Sequence, residues 1–256
     1  MQKSANPFVS GLLLLLVEIS VMLFSFPLAT LAQGVVVAST PLVGAIARAA
    51  GAKEVRVISP EGTKHPPEYD LKPSDLFEFE GAKTVIYGGY ERMVSKLLET
   101  SREKNIPALQ IETETSPESL IASARKISRA LKTEKEEQVW EKQFIEKLKA
   151  LQKKISAFSG KRAIVHQYAY SFSKWANLSI VLMISPGELT PKVIADALAQ
   201  KPELVVDVFH FPVARVVADN AKCKYIQIIN FPGVGNTKTL KDVFEYNSTQ
   251  LIQAFR

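Results

Sequence analysis

The chain has three histidines, and each stands where an apolar run gives way to polar sequence. His65 lies in Gly62-Thr63-Lys64-His65-Pro66-Pro67-Glu68-Tyr69-Asp70-Leu71-Lys72-Pro73-Ser74-Asp75-Leu76, after the run Val55 to Ile58. His166 follows Ala163-Ile164-Val165, and His210 follows Val205-Val206-Asp207-Val208-Phe209. A single histidine at a strand end is more often a structural or surface residue. Three of them, one in the first half of the chain and two in the second, point to convergence on a shared site. Imidazole nitrogens joined by one carboxylate suit Zn2+, which holds four such ligands tetrahedrally at about 2.0 to 2.2 Å. Mn2+ prefers more oxygen donors and is the second choice. Ca2+ and Mg2+ are disfavoured because no all-oxygen loop appears. The chain also lacks a phosphate-binding glycine loop, a Gly-x-Ser-x-Gly elbow and a His-Glu-x-x-His run. Gly233-Val234-Gly235 is too short to count as a glycine loop.

The segments between these histidines must position them. Short apolar runs at Val35 to Ala38, Val55 to Ile58, Thr84 to Tyr87 and Ala108 to Ile111 read as buried strands. Pro41 to Ala50, Pro73 to Phe79, Glu91 to Lys104 and Pro117 to Leu131 read as helices, with Pro41 and Pro117 at the first turn, where proline is tolerated. The alternation implies a parallel sheet with helices on both faces. Glu134 to Phe158 reads as one long charged helix, with Trp140, Phe144, Leu148, Leu151, Ile155 and Phe158 on one stripe. About 25 residues at 1.5 Å each span nearly 40 Å, enough to join two lobes; a short coiled coil is the other reading. The strand–helix alternation then resumes with strands at Ala163 to Val165, Ile180 to Met183, Leu204 to Phe209 and Tyr225 to Ile229. Helices are expected at Pro191 to Gln200, capped by Thr190, and at about Lys238 to Phe255. In open parallel sheets the C-terminal ends of the strands line the ligand crevice, and all three histidines fall there. The fold class is therefore α/β, with two lobes of parallel βα units joined by a single long helix. The expected boundaries are 33–132, 133–159 and 160–256.

The apolar run Phe8 to Leu31, preceded by Lys3 and ending in Thr30-Leu31-Ala32, reads as a secretory signal over 1–32, cleaved after Ala32. A retained membrane anchor is the alternative. The single cysteine, Cys223, excludes an internal disulfide and any Cys-rich metal cage. The net charge of +6 comes from lysines spread among glutamates along helices, so no nucleic-acid partner is expected.

The order "apolar strand, Gly-x-x-His-x-x-x-Tyr-x-x-x-Pro-Ser-Asp" resembles the first metal-ligand loop of the zinc- and manganese-binding solute receptors of bacterial ABC importers. His65, Tyr69, Pro73, Ser74 and Asp75 carry the match. Thr63, Lys64 and a longer His-to-Tyr spacing depart from it. Gly187-Glu188-Leu189-Thr190-Pro191-Lys192 and the terminal Tyr246-Asn247 are similar to further stretches of that family. The resemblance implies a two-lobed, monomeric, extracytoplasmic receptor that passes its metal to a membrane permease and is not an enzyme. It further implies His65 as first ligand and His166 as third, with His210 near a position where the family has a glutamate and Asp207 as its competitor. The family's second histidine is missing here, and the same count places Glu112 in its stead, with Glu114 and Glu118 as neighbours. Asn230 stands nearest the family's last aspartate. The metal set implied is thus His65, Glu112, His166 and His210.

Two other functions compete. A receptor for a corrinoid or an iron chelate could use the same long-helix architecture, with Tyr90, Tyr168, Tyr170 and Trp175 lining its cleft. A zinc hydrolase would need three histidine ligands and an open water position, with Glu68 as base. Ligands drawn from two lobes describe capture better than a rigid catalytic cage.

Overall fold

The computed structural model describes residues 34–60, 62–185, 187 and 189–256. The expected signal segment 1–32 lies outside the described residues, as does Glu188. Among the described residues eight strands alternate with helices. The first sheet is built from β1 (Val35–Ala38), β2 (Val55–Val57), β3 (Ala82–Tyr87) and β4 (Ala108–Gln110), in the order β2-β1-β3-β4. The second contains β5 (Arg162–His166), β6 (Ser179–Ile184), β7 (Leu204–Val208) and β8 (Lys224–Ile228), in the equivalent order β6-β5-β7-β8. Every pairing is parallel, so the C-terminal ends of each sheet lie along one edge.

The helices are α1 (Pro41–Ala49), α2 (Val94–Glu103), α3 (Pro117–Leu131), α4 (Glu134–Ile155), α5 (Tyr170–Trp175), α6 (Pro191–Ala199), α7 (Arg215–Ala221) and α8 (Leu240–Ala254). Pro41, Pro117 and Pro191 each open a helix behind a Thr40, Ser116 or Thr190 cap, whose hydroxyl accepts a backbone N–H of the first turn. The long helix runs 22 residues and tightens into a 3-10 turn at Ser156–Phe158. Between α3 and α4 the left-handed Lys132 turns the chain, and the buried Thr133 hydroxyl donates to the Ala50 carbonyl at 2.5 Å. The stretch Pro73–Phe79 is a 3-10 helix rather than an α-helix. Of its side chains only Phe79 is buried, so no apolar face rewards the regular α geometry. Among the described residues no helix is long and apolar enough to cross a membrane.

A single apolar cluster runs through both halves, joining Ile46 of α1, Ile127 of α3, Phe144 and Leu151 of α4, Val165 and Val206 of the second sheet, and Phe244 of α8. Smaller clusters cover the outer face of each sheet, around Val37 and Leu97 in the first and Ile164 and Val217 in the second. At the start of α8, the Thr239 hydroxyl accepts the Asp242 N–H at 3.2 Å, and Asp242 Oδ2 accepts the N–H groups of Thr239 and Lys238, both at 2.9 Å. This reciprocal cap fixes where the terminal helix begins. Thr239→Ala is expected to lower stability by about 1 kcal/mol in urea denaturation.

Candidate metal centre

Both rows of strand C-termini face one cleft of about 670 Å3. Thr40 to Leu42 follow β1, Lys64 to Glu68 follow β2, Tyr90 follows β3, and Thr113 to Thr115 follow β4. From the second sheet come Gln167 and Tyr168 after β5, His210 and Phe211 after β7, and Asn230 and Phe231 after β8. This is the crevice that parallel sheets reserve for ligands, because strand ends there carry freely variable loops. A second groove, of about 660 Å3, lies between α3 and α4 around Arg125, Glu137 and Glu141; it contains no histidine.

His65 is set by a stiff loop. Its carbonyl accepts the Glu68 N–H at 3.0 Å in the turn Pro66–Glu68, and the Pro67 carbonyl accepts the Arg92 N–H at 2.8 Å, fastening the loop to the segment after β3. Further along, Asp75 Oδ2 accepts the Tyr69 hydroxyl at 3.0 Å and the Lys72 N–H at 2.7 Å. The ring then meets Phe211 edge-on with centroids 5.5 Å apart.

His210 is held by Asp207, a fully buried carboxylate. Its Oδ1 accepts the Val208 N–H at 2.9 Å, and its Oδ2 accepts the N–H groups of Val213 and Ala214 and the Tyr225 hydroxyl, at 2.9, 2.7 and 3.0 Å. With both oxygens so engaged, Asp207 shapes the loop that presents His210 and Phe211 rather than lining the cleft. The His210 ring stacks on Phe231 at 4.0 Å, and both of its nitrogens are buried without a partner. Burial, then the nearby His65, push its pKa down to about 4 against the opposing Lys64 carbonyl. At neutral pH the ring is therefore uncharged and offers a nitrogen lone pair.

His166 ends β5 and is fully buried behind the cleft wall, 5.2 Å from the Tyr168 ring and 6.4 Å from Phe211. Its Nδ1 accepts the Tyr168 N–H at 3.1 Å. A neutral imidazole carries one proton, so here that proton sits on Nε2, which is buried and unpartnered. The ring thus presents an N–H, not a lone pair, at its free nitrogen. Burial lowers its pKa, with Asp207 opposing.

Glu112 is exposed and does not line the cleft; its carbonyl accepts the Ser123 hydroxyl at 2.7 Å. Glu114, two residues on, is the cleft carboxylate of that loop, and its Oε1 accepts the Ser171 hydroxyl at 3.1 Å, a bond from the first half of the chain to the second. Asn230 lines the cleft and donates to the Tyr168 carbonyl at 3.0 Å. Of the aromatic candidates, Tyr90 and Tyr168 line the cleft, whereas Trp175 packs edge-on against Phe244 at 4.9 Å in the core. Among the described residues no three His, Cys, Asp or Glu side chains converge closely enough to share one ion. The cleft brings His65 and His210 together, with His166 behind them.

One residue of this architecture escaped sequence reasoning. Glu91 is buried and accepts the Ser39 hydroxyl at 2.5 Å and the N–H groups of Gly88 and Gly89 at 2.8 and 2.7 Å. It ties the end of β1 to the end of β3 and so holds Tyr90 at the cleft mouth. Gly89 sits at φ +99, a backbone conformation that residues with a Cβ rarely adopt. The signal was a Gly-Gly-x-Glu run directly after an apolar strand.

The model of the family described as zinc-uptake complex component A, periplasmic (ZnuA) matches residues 36–215. The chain belongs to this family. It is a receptor family, and a metal-binding receptor is the class this ZnuA-family chain enters. No curated protein matches its sequence. Among solved structures, the chain is similar to the laminin-binding protein Lmb of Streptococcus agalactiae, described as having adhesin and metal-transporting activity, at 14% identity and TM-score 0.65, covering 86% of this chain and 99% of that one. It is similar to the Mn-bound periplasmic metal-binding protein of Candidatus Liberibacter asiaticus, at 12% identity and TM-score 0.66, covering 88% and 100%. FpvC of Pseudomonas aeruginosa, solved in complex with Mn2+, matches at 16% identity and TM-score 0.66, covering 86% and 97%. These likenesses establish the fold.

The lowered histidines make a prediction for the metal-free chain. When unfolded, His166 and His210 titrate near 6.5. Their folded values lie lower, His210 at about 4. As pH falls the unfolded state therefore binds protons first, so their contribution is complete above about 6.5 and is lost as pH falls toward about 4. The urea midpoint should decline across that window, and His210→Asn should flatten the decline.

Proposed function

We propose that this protein is the extracytoplasmic receptor of an ABC importer, capturing a divalent transition metal in the cleft. The observation that carries the reading is the meeting of His65 and His210, presented from the first and second sheets at the strand ends. Two imidazoles with Glu114 as the nearby carboxylate favour Zn2+, and Mn2+ is the second choice. Glu114 takes the place that counting assigned to Glu112.

The two sheets act as lobes, 33–132 and 160–256, joined by the helical segment 133–159. The shared apolar cluster limits how far they can swing, which suits capture with small bending. Secretion through the segment 1–32 would deliver the receptor to the periplasm or its equivalent, where a membrane permease takes the metal. The relatives described as Mn-bound or metal-transporting support a transition-metal cargo.

The test is a calorimetric titration of chelator-stripped protein with Zn2+ and with Mn2+. One Zn2+ per chain is expected, bound more tightly than Mn2+. At about 100 times the dissociation constant it should raise stability by about 2.7 kcal/mol. Flat titrations with both ions would overturn capture of the free ion.

A further inference from the structure

The cleft is larger than an ion requires. At about 670 Å3 it falls in the range of about 300 to 1,000 Å3 typical of sites for small organic molecules. A tetrahedral Zn2+ occupies only the centre of donors about 2.0 to 2.3 Å away.

The wall carries three kinds of surface. His65 and His210 supply nitrogen donors. Tyr90, Tyr168, Phe211 and Phe231 supply aromatic surface, and Tyr90 and Tyr168 remain 53% and 51% exposed. Rings of that size gain by covering their faces, and a bare ion would leave these open. The third surface donates hydrogen bonds. Lys64 brings a positive charge to the cleft.

We infer that the cargo of this cleft is a metal chelate: a divalent metal held by His65 and His210, with the rest of its coordination supplied by a small carboxylate-bearing chelator. The chelator lies against Tyr90 and Tyr168, its carboxylates facing Lys64. This deepens the metal-receptor reading and rests on it. It also explains why the protein's own donors in the described cleft fall short of a full set for a bare ion.

The experiment compares four probes by calorimetry on the stripped protein: Zn2+ alone, citrate alone, equimolar zinc–citrate and equimolar zinc–histidine. At least one zinc complex is expected to bind about tenfold or more tighter than free Zn2+, a difference of about 1.4 kcal/mol. Binding of the complex with a flat Zn2+ titration would support the chelate as well, and would replace the free ion as cargo. If both chelators instead weaken Zn2+ binding by competition, the inference fails and the metal-receptor reading stands. If all probes are flat, both fail. If citrate alone binds as tightly as zinc–citrate, the metal has no part in recognition and the inference is overturned. With Co2+ as probe, adding the favoured chelator should shift the visible absorption of the bound ion, because a new oxygen enters its shell. An unchanged spectrum would place the chelator outside the shell and overturn the proposal.

Discussion

Zinc affinity is expected to fall by more than about 100-fold in His65→Ala and in His210→Ala, exceeding the roughly 10- to 100-fold loss typical when only an outer partner of a metal site is removed. The two imidazoles come from opposite sheets and face one cleft, so removing either leaves a single nitrogen donor on the wall. The double substitution should therefore be scarcely worse than either single one, because the first loss already abolishes the shared coordination. His166 answers differently. As a third nitrogen ligand it would lose as much in His166→Gln as in His166→Ala. As a buried N–H donor outside the metal's shell it should leave zinc affinity nearly unchanged in both variants. Competitive titration against a fluorescent zinc chelator reads all these variants. Unchanged affinity in both His65→Ala and His210→Ala would mean the shared site must be given up.

Phe144→Ala is expected to destabilise the protein by about 3 to 5 kcal/mol, the usual range for emptying a buried aromatic site. The Phe144 ring is fully buried on α4, stacked on Trp140 at 4.9 Å and edge-on to Phe244 of α8 at 5.6 Å. It lies at the seam where the long helix meets the terminal helix, inside the cluster that runs through both halves. Domains of this kind have about 5 to 15 kcal/mol of stability in total, so such a loss is a large share of it. Urea denaturation should show a lower midpoint, and saturating ligand should restore part of it by mass action because the cleft residues are untouched. Phe144→Leu, which leaves a smaller void, should cost much less.

The βα alternation and its repetition were legible because each element is a local pattern. Short apolar runs of valine and isoleucine became strands within a residue or two of the expected bounds, and proline behind a hydroxyl cap began α1, α3 and α6. The short helix Arg215–Ala221 had no such signal. It opens on Ala214 without a side-chain cap and is anchored instead by Asp207, seven residues earlier, through the Val213 and Ala214 N–H groups. Pro73–Phe79 carried helix-starting residues, yet nothing in it could show that only Phe79 would be buried.

The site divides in the same way. That His65, His166 and His210 stand at strand ends follows from the order of apolar and polar residues, and parallel pairing alone brings those ends to one edge of each sheet. The resemblance carried by the His65 loop agrees with the family to which the chain belongs. Tertiary structure decided where each candidate stands. Glu114 lines the cleft and Glu112 does not, a two-residue difference that depends on how the loop after β4 meets Ser171 across the cleft. His166 keeps its proton on Nε2 because the backbone N–H of Tyr168 occupies Nδ1, a consequence of how the chain turns after β5. His210 is held uncharged by burial against Phe231 and by the nearness of His65, residues far apart in sequence. Residue type and spacing determine which groups reach the strand ends. Protonation state, exposure and orientation depend on contacts between distant segments, and those exist only once the two sheets are packed around one core.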